Sequence, residues 1–174
     1  IKLENKQNQK NINTILSSIN GSISSMKSTT DDYSNWDDSY NFIENKNSDY
    51  IYENFRDGTT TLTDLGVDFF VYSNLKQQTI FSKYTNDLLE KDKVDFEREI
   101  LRFSGKSTLI TLFKHKSQFL FLIKSEIKKS DKTGKPNGYL YSGKLITNKN
   151  LNAITKVFKK VYISNRQVNK KHLE

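Results

Sequence analysis

The sequence predicts an α+β domain in which one long N-terminal helix packs on a five-stranded antiparallel sheet with short helices. Apolar residues follow a helical period through the first 46 residues and alternate with a strand period in five later segments. A polar loop with the only proline separates the last two segments. At 174 residues the chain has the length of one domain. We expect the long helix over 1–46, the body over 47–163 and a tail over 164–174.

The first helix is predicted by a stripe of apolar and aromatic residues. Five of its members are spaced by seven: Ile12, Ile19, Met26, Tyr33 and Tyr40. Residues 3–46 contain one glycine and no proline, so they predict a single helix of about 65 Å. Because that exceeds the width of a domain of this size, we expect its polar N-terminal part to project and pair with another helix. A homodimer through this helix follows, or attachment to something upstream.

The later elements are predicted from caps, turns and alternation. Residues 47–49 offer a cap for a short helix at 50–55, and a further helical turn is expected at 59–65. The expected strands are 67–72, 78–82, 107–114, 119–128 and 139–146, and further helices are expected after a cap at Asp92 and after one at Asn148 or Asn150. Five antiparallel strands with helices on one side form an arrangement of the PAS-like and Cache-like kind.

The composition bears on partners and chemistry. The net charge is +8, but the 28 basic residues are 24 lysines and 4 arginines, whereas base readout and phosphate clamps favour arginine. We therefore expect no nucleic-acid partner. Charge is uneven: residues 1–70 carry −5 and residues 124–174 carry +10, which suits a neighbouring anionic membrane and equally suits coding bias on a solvated face. The absence of cysteine excludes disulfides and thiolate metal sites.

No motif for catalysis or metal binding is convincing. Residues 104–108 read Ser-Gly-Lys-Ser-Thr, like the end of a phosphate-binding loop. Such a loop needs another glycine five residues before Gly105, and that position is Ile100. His115, expected at a turn, and His172 lie too far apart for a local metal motif. The longest purely apolar run, 119–123, is too short for a membrane span. We expect no enzyme activity, no cofactor and no metal, and the first residue, Ile1, suggests a piece of a longer protein.

The densest candidate site is Tyr33, Trp36, Asp37 and Tyr40. Spacings of three, one and three place all four on one helix face, where three rings and one carboxylate could hold a cationic or amine-bearing ligand. The alternative is that the rings belong to the core and that Asp37 pairs with a backbone amide or a lysine. Trp36, Asp37 and Tyr40 would then anchor the helix to the sheet.

A second set of candidates lies on the predicted sheet. The alternation at 119–124 gives one strand two faces that both carry large side chains, which is typical of a strand covered on both sides. In a sheet of this type the pocket lies between the sheet and the covering elements, so Phe121, Lys124 and Tyr141 are candidate pocket residues. Plain core packing is the alternative.

The chain resembles a known family of sensory domains. The residues that carry the resemblance are the run 32–40, with Trp36-Asp37-Asp38 and Tyr40, then 67–72, the strand 123–127, the loop 130–138 and the strand 139–145. Over about residues 30–155 they are similar to the fourth class of CHASE domains. The resemblance implies a PAS-like fold and an extracytoplasmic (periplasmic) sensor domain between two membrane helices, so that 164–174 would lead toward the second of them.

The resemblance also suggests a function. It implies part of a membrane-bound histidine kinase, diguanylate cyclase, phosphodiesterase or chemoreceptor, with a small-molecule ligand of unknown identity. We expect a non-catalytic module that relays a ligand-dependent movement across the membrane. The alternative is a ligand-free dimerisation and spacer module.

Overall fold

The computed structural model describes residues 2–56, 60–103 and 109–146. The α+β prediction is confirmed, with five antiparallel strands in the order β2-β1-β5-β4-β3. The elements in chain order are α1 (Lys2–Ser34), α2 (Asp37–Asn45), α3 (Ser48–Phe55), α4 (Thr60–Asp64), β1 (Phe69–Asn74), β2 (Thr79–Tyr84), α5 (Asp87–Lys91), α6 (Lys93–Leu101), β3 (Leu109–His115), β4 (Gln118–Ile127) and β5 (Gly138–Leu145). The predicted last helix and the segment 104–108 lie outside the described residues.

The prediction of one helix over 3–46 is wrong, because the helix stops at Ser34 and a second one starts at Asp37. Trp36, between them, is extended at φ −98° and ψ 141°. The side chains of Ser34 and Asn35 donate to the carbonyl of Asp31, at 3.1 and 2.6 Å. The carbonyl of Ser34 accepts from the backbone N–H of Lys128 at 2.9 Å, so a distant loop replaces the next helical turn.

Helices cover both faces of the sheet, so the expectation of helices on one side is also wrong. Strand alternation sends Phe70 and Tyr72 to one face and Phe69 and Val71 to the other. The first face packs against α1–α4, and we call it the α1 face. The second packs against α5 and α6, and we call it the α6 face. Short amphipathic helices bury an apolar stripe equally well on either face, so their sequences alone do not choose one.

Local signals explain most element boundaries. The side chain of Asn47 accepts from the backbone N–H of Asp49 at 2.9 Å, which confirms the expected cap of α3. Asp92 precedes α6 as expected, but its side chain does not cap the helix, since its carboxylate contacts Lys116 Nζ at 2.6 Å. The five-residue helix α5 was not predicted. His115 is the buried last residue of β3 rather than part of a turn.

Candidate functional site

Polar side chains hold α1 against the two strands β4 and β5. Thr30 donates a hydrogen bond to the carbonyl of Met26 at 2.7 Å, and its hydroxyl also contacts that of Ser142 on β5. Because a threonine hydroxyl has one proton, Ser142 is the donor in the second bond. Both side chains are fully buried. Ser125 on β4 donates to Asp31 at 2.9 Å, and Asp31 also pairs with Lys27. We call these contacts the α1 docking contacts.

The loop between β4 and β5, residues 128–137, holds the break between α1 and α2. Asp37 Oδ1 accepts from the backbone N–H of Ser130 at 2.9 Å, and Ser130 Oγ accepts from the N–H of Asp37 at 3.2 Å. The amide of Asn137 donates to the carbonyl of Tyr40 at 2.8 Å. Lys129 Nζ lies 5.7 Å from the centroid of the Tyr40 ring. The start of α2 is therefore tied to the connection between the strands on which α1 docks.

The four helix candidates do not share one helix face, since the break lies inside the set. Tyr33 packs against the sheet with its ring 5.2 Å from that of Phe70 and 4.5 Å from that of Trp36. Trp36 remains 38% exposed. Asp37 meets a backbone amide, as the second interpretation of this cluster expected. The contacts present in the structure are those of an anchor between helix, loop and sheet, and ligand contact by these residues stays a prediction.

The three sheet candidates lie on opposite faces. Phe121 packs on the α1 face, whereas Lys124 pairs with Tyr141 across β4 and β5 on the α6 face. The seven candidates therefore do not form one site. Tyr33, Trp36 and Phe121 belong to the α1 side, and Lys124 and Tyr141 are separated from them by the sheet itself.

Lys124 has an unusual environment for a charged residue. It is 6% exposed, and its Nζ lies 4.0 Å from the centroid of the Tyr139 ring and 5.9 Å from that of Tyr141. Burial lowers the pKa of the Lys124 ammonium, and the charge of Glu126 acts in the opposite direction. The Glu126 carboxylate is bound by Lys128 Nζ at 2.7 Å. Within the described residues no carboxylate lies within ion-pair distance of Lys124 Nζ.

The magnitudes show that this ammonium is incompletely compensated. A cation over an aromatic ring gains about 0.5–2 kcal/mol. Removing an ammonium from water costs several kcal/mol even after the protein relaxes. The aromatic contacts would offset only part of a complete desolvation, and Lys124 Nζ, which is not among the fully buried atoms, keeps some contact with solvent.

Ser73 is a second polar side chain without a partner on the α6 face. It is fully buried on β1, and its Oγ has no hydrogen-bond partner among the described residues. It pairs in register with Tyr139 on β5. Burial raises the pKa of Tyr141 to about 12, with the Ser73 hydroxyl acting in the opposite direction. The sequence predicted a strand that ends at residue 72, so the burial of Ser73 inside β1 was missed.

Other polar clusters have structural partners, although His115 Nε2 is buried without a hydrogen bond among the described residues. The hydroxyls of Ser39, Tyr50 and Tyr72 form a buried chain with separations of 2.7 and 2.9 Å, and burial raises the pKa of Tyr50 to about 12. His115 Nδ1 bonds to Glu99 at 2.9 Å and joins the end of β3 to α6. No group of three or more His, Cys, Asp or Glu side chains in the described residues could hold a metal ion.

A comparison with solved structures indicates the fold class of the chain. The crystal structure of the periplasmic domain of Vibrio cholerae LuxQ is similar, with a TM-score of 0.60 and 14% sequence identity over 86% of this chain and 69% of that chain. The likeness supports a PAS-like fold. No curated protein matches the chain.

The family follows from the sequence of the whole domain. The model of the CHASE4 domain matches residues 18–160, so the chain belongs to the CHASE4 family, and the resemblance seen in the sequence is confirmed. The family makes it an extracytoplasmic sensor domain of a signalling receptor. Across the described residues, no helix combines the length and apolar character needed to span a bilayer.

Proposed function

We propose that this domain senses a small molecule and relays the event through a change in how α1 docks on β4 and β5. The observation that carries the proposal is the set of α1 docking contacts. Thr30 and Ser142 are buried hydroxyls, and a polar contact of this kind is satisfied in one arrangement and costly in others. The helix α1 therefore favours one defined position on the sheet, and a ligand bound to the sheet could shift α1 to another position.

The receptor context is part of the same proposal. The domain would be membrane-anchored on both sides, act without catalysis of its own, and control a histidine kinase, a cyclic-dinucleotide enzyme or a chemoreceptor. A helix of 33 residues is about 50 Å long, and the described side chains between Asn13 and Ser18 are exposed. This polar half of α1 supports a homodimer in which the helices of two copies pair.

The test is a receptor chimera in which this chain replaces the periplasmic domain of a receptor kinase with a transcriptional reporter. Thr30→Val weakens docking, and a change of about 1 kcal/mol alters a two-state ratio about fivefold. We expect the basal reporter output to change by a factor of that order. Ser28→Ala is the matched control, since Ser28 is an exposed hydroxyl on the same helix.

A ligand-free spacer gives a different result. If α1 only separates two membrane segments, Thr30→Val and Ser28→Ala leave the reporter output equal at equal protein level. That outcome would remove the proposed relay and favour the dimerisation and spacer module.

A further inference from the structure

We propose that Lys124, Ser73 and Tyr141, on the α6 face beside Tyr139, form the binding site for a small monocarboxylate. The inference rests on the proposed sensing function and adds a place and a ligand class to it. Lys124 Nζ has ring contacts but no ion pair in the described residues, and Ser73 Oγ is buried without a hydrogen bond beside the Tyr141 hydroxyl; both lie on the same sheet face.

Strand register brings these groups side by side. Lys124 on β4 is opposite Tyr141 on β5, and Tyr139 on β5 is opposite Ser73 on β1. The four residues therefore lie on three adjacent strands, β1, β5 and β4, and the two that share β5 are two residues apart. Tyr139 is only partly buried, whereas Ser73 and Tyr141 are at most 1% exposed, so a ligand would have to enter beside Tyr139.

The charges around the cluster select the ligand. Lys124 contributes one positive charge, while the Glu126 and Lys128 pair beside it is neutral. On the packed helix α6, Glu97 accepts from Thr79 and Tyr84, so it is directed to β2. One uncompensated ammonium fits one negative charge, and a dianion would lack a second cation among these neighbours.

The remaining groups supply donors for carboxylate oxygens. The Tyr141 hydroxyl stays protonated at neutral pH because burial raises its pKa to about 12, and the Ser73 hydroxyl has a proton to donate. An ammonium and two hydroxyls form a donor set suited to a carboxylate. Tyr139 and Tyr141 place ring surface next to it, which favours a short aliphatic or aromatic substituent over a polar one.

The helix cluster would take a ligand of the opposite charge. Asp37 accepts one hydrogen bond from the Ser130 N–H, and its carboxylate keeps further acceptor sites for an amine. A carboxylate probe and an ammonium probe therefore separate the two sites.

The test measures binding of acetate, propionate, pyruvate and benzoate to the 174-residue chain by thermal shift and calorimetry. Matched primary amides and propylammonium serve as neutral and cationic controls. At least one carboxylate is expected to stabilise the chain, whereas its amide and propylammonium do not. Lys124→Met should weaken binding about tenfold or more, since a charge-assisted bond is lost. Lys144→Met, at an exposed lysine on the neighbouring strand β5, should change affinity less than about threefold.

Amide chemical shifts of the unmodified chain give a second readout that does not depend on a variant folding. On titration with the best carboxylate, the shifts are expected to move around residues 73, 124, 139 and 141. The proposal is overturned if no carboxylate binds, if the amide binds equally, or if shifts move around Tyr33 and Tyr40 instead. In each case the reporter response to Thr30→Val is unaffected, so failure of this site is distinguishable from failure of the sensing function.

Discussion

Removing the Thr30 hydroxyl tests the α1 docking contacts most sharply, because its single proton, donated to Met26, assigns the direction of both hydrogen bonds. Thr30 donates to Met26 and accepts from Ser142, and both hydroxyls are fully buried. Thr30→Val therefore leaves the Ser142 hydroxyl without its acceptor inside the protein. A buried donor left unpaired costs about 1–3 kcal/mol.

Ser142→Ala is expected to cost less, although it breaks the same bond. Thr30 keeps its hydrogen bond to Met26 and loses only an incoming donor, so we expect about 0.5–1.5 kcal/mol. In the double variant no hydroxyl of the pair remains to be satisfied. The cost of the double variant should therefore fall short of the sum of the two single costs by about 1 kcal/mol.

The assay is urea unfolding of the unmodified chain, the two single variants and the double variant, followed by circular dichroism. Free energies of unfolding are compared only if the dependence on urea concentration has the same slope in all four. Thr30→Val should be the less stable single variant. The reasoning is refuted if Ser142→Ala costs as much as Thr30→Val, or if the two costs add without coupling.

Three further predictions concern packing, pH and the loop. A Cβ at Gly143 would meet the Phe121 carbonyl oxygen and approach the Phe69 ring at 3.0 Å, so Gly143→Ala should cost about 1–3 kcal/mol in urea unfolding. A Cβ at Gly21 would have no neighbour within 4 Å, so Gly21→Ala should instead stabilise α1 by up to about 1 kcal/mol. If both substitutions changed the free energy of unfolding in the same direction, this account of the packing would be contradicted. Burial raises the pKa of Tyr50 and of Tyr141 to about 12, so the folded chain keeps protons that the unfolded chain releases near 10. The contribution of these two groups to the free energy of unfolding should therefore be fully present below about pH 10 and be lost as the pH rises toward 12. Tyrosinate absorbance from the buried tyrosines should appear only when the chain unfolds. Titration of all nine tyrosines near pH 10 in the folded chain would contradict this prediction. Asp37→Ala removes the acceptor of the Ser130 N–H and should cost less than about 1 kcal/mol while changing the emission of Trp36, the only tryptophan, whereas Asp38→Ala, exposed one residue away, should change neither.

The strands were predictable because their signal is local. Alternation along 67–72 and 139–146 survives in β1 and β5, and the polar loop with the only proline separates β4 from β5 as expected. The separation of Phe121 from Lys124 was also contained in the alternation, since residues three apart on a strand lie on opposite faces. The prediction of one pocket from Phe121, Lys124 and Tyr141 therefore combined residues from opposite faces of the sheet.

The break at Trp36 was not predictable from local pattern. The apolar stripe continues through Tyr33 and Tyr40, and neither glycine nor proline marks the end of α1. The helix ends there because Lys128 and Ser130, from a loop far along the chain, satisfy backbone and side-chain groups of residues 34–37. Long-range hydrogen bonds of this kind have no signature in helical periodicity.

A reversible disulfide in the chimera tests the relay through α1 most directly. The chain has no cysteine, and the hydroxyls of Thr30 and Ser142 touch, so cysteines at the two positions would bring their sulfur atoms together. In the Thr30→Cys, Ser142→Cys chimera, reduction should shift reporter output in the same direction as Thr30→Val, and oxidation should restore the native output. Equal output in the two redox states, with the disulfide verified, would contradict the relay.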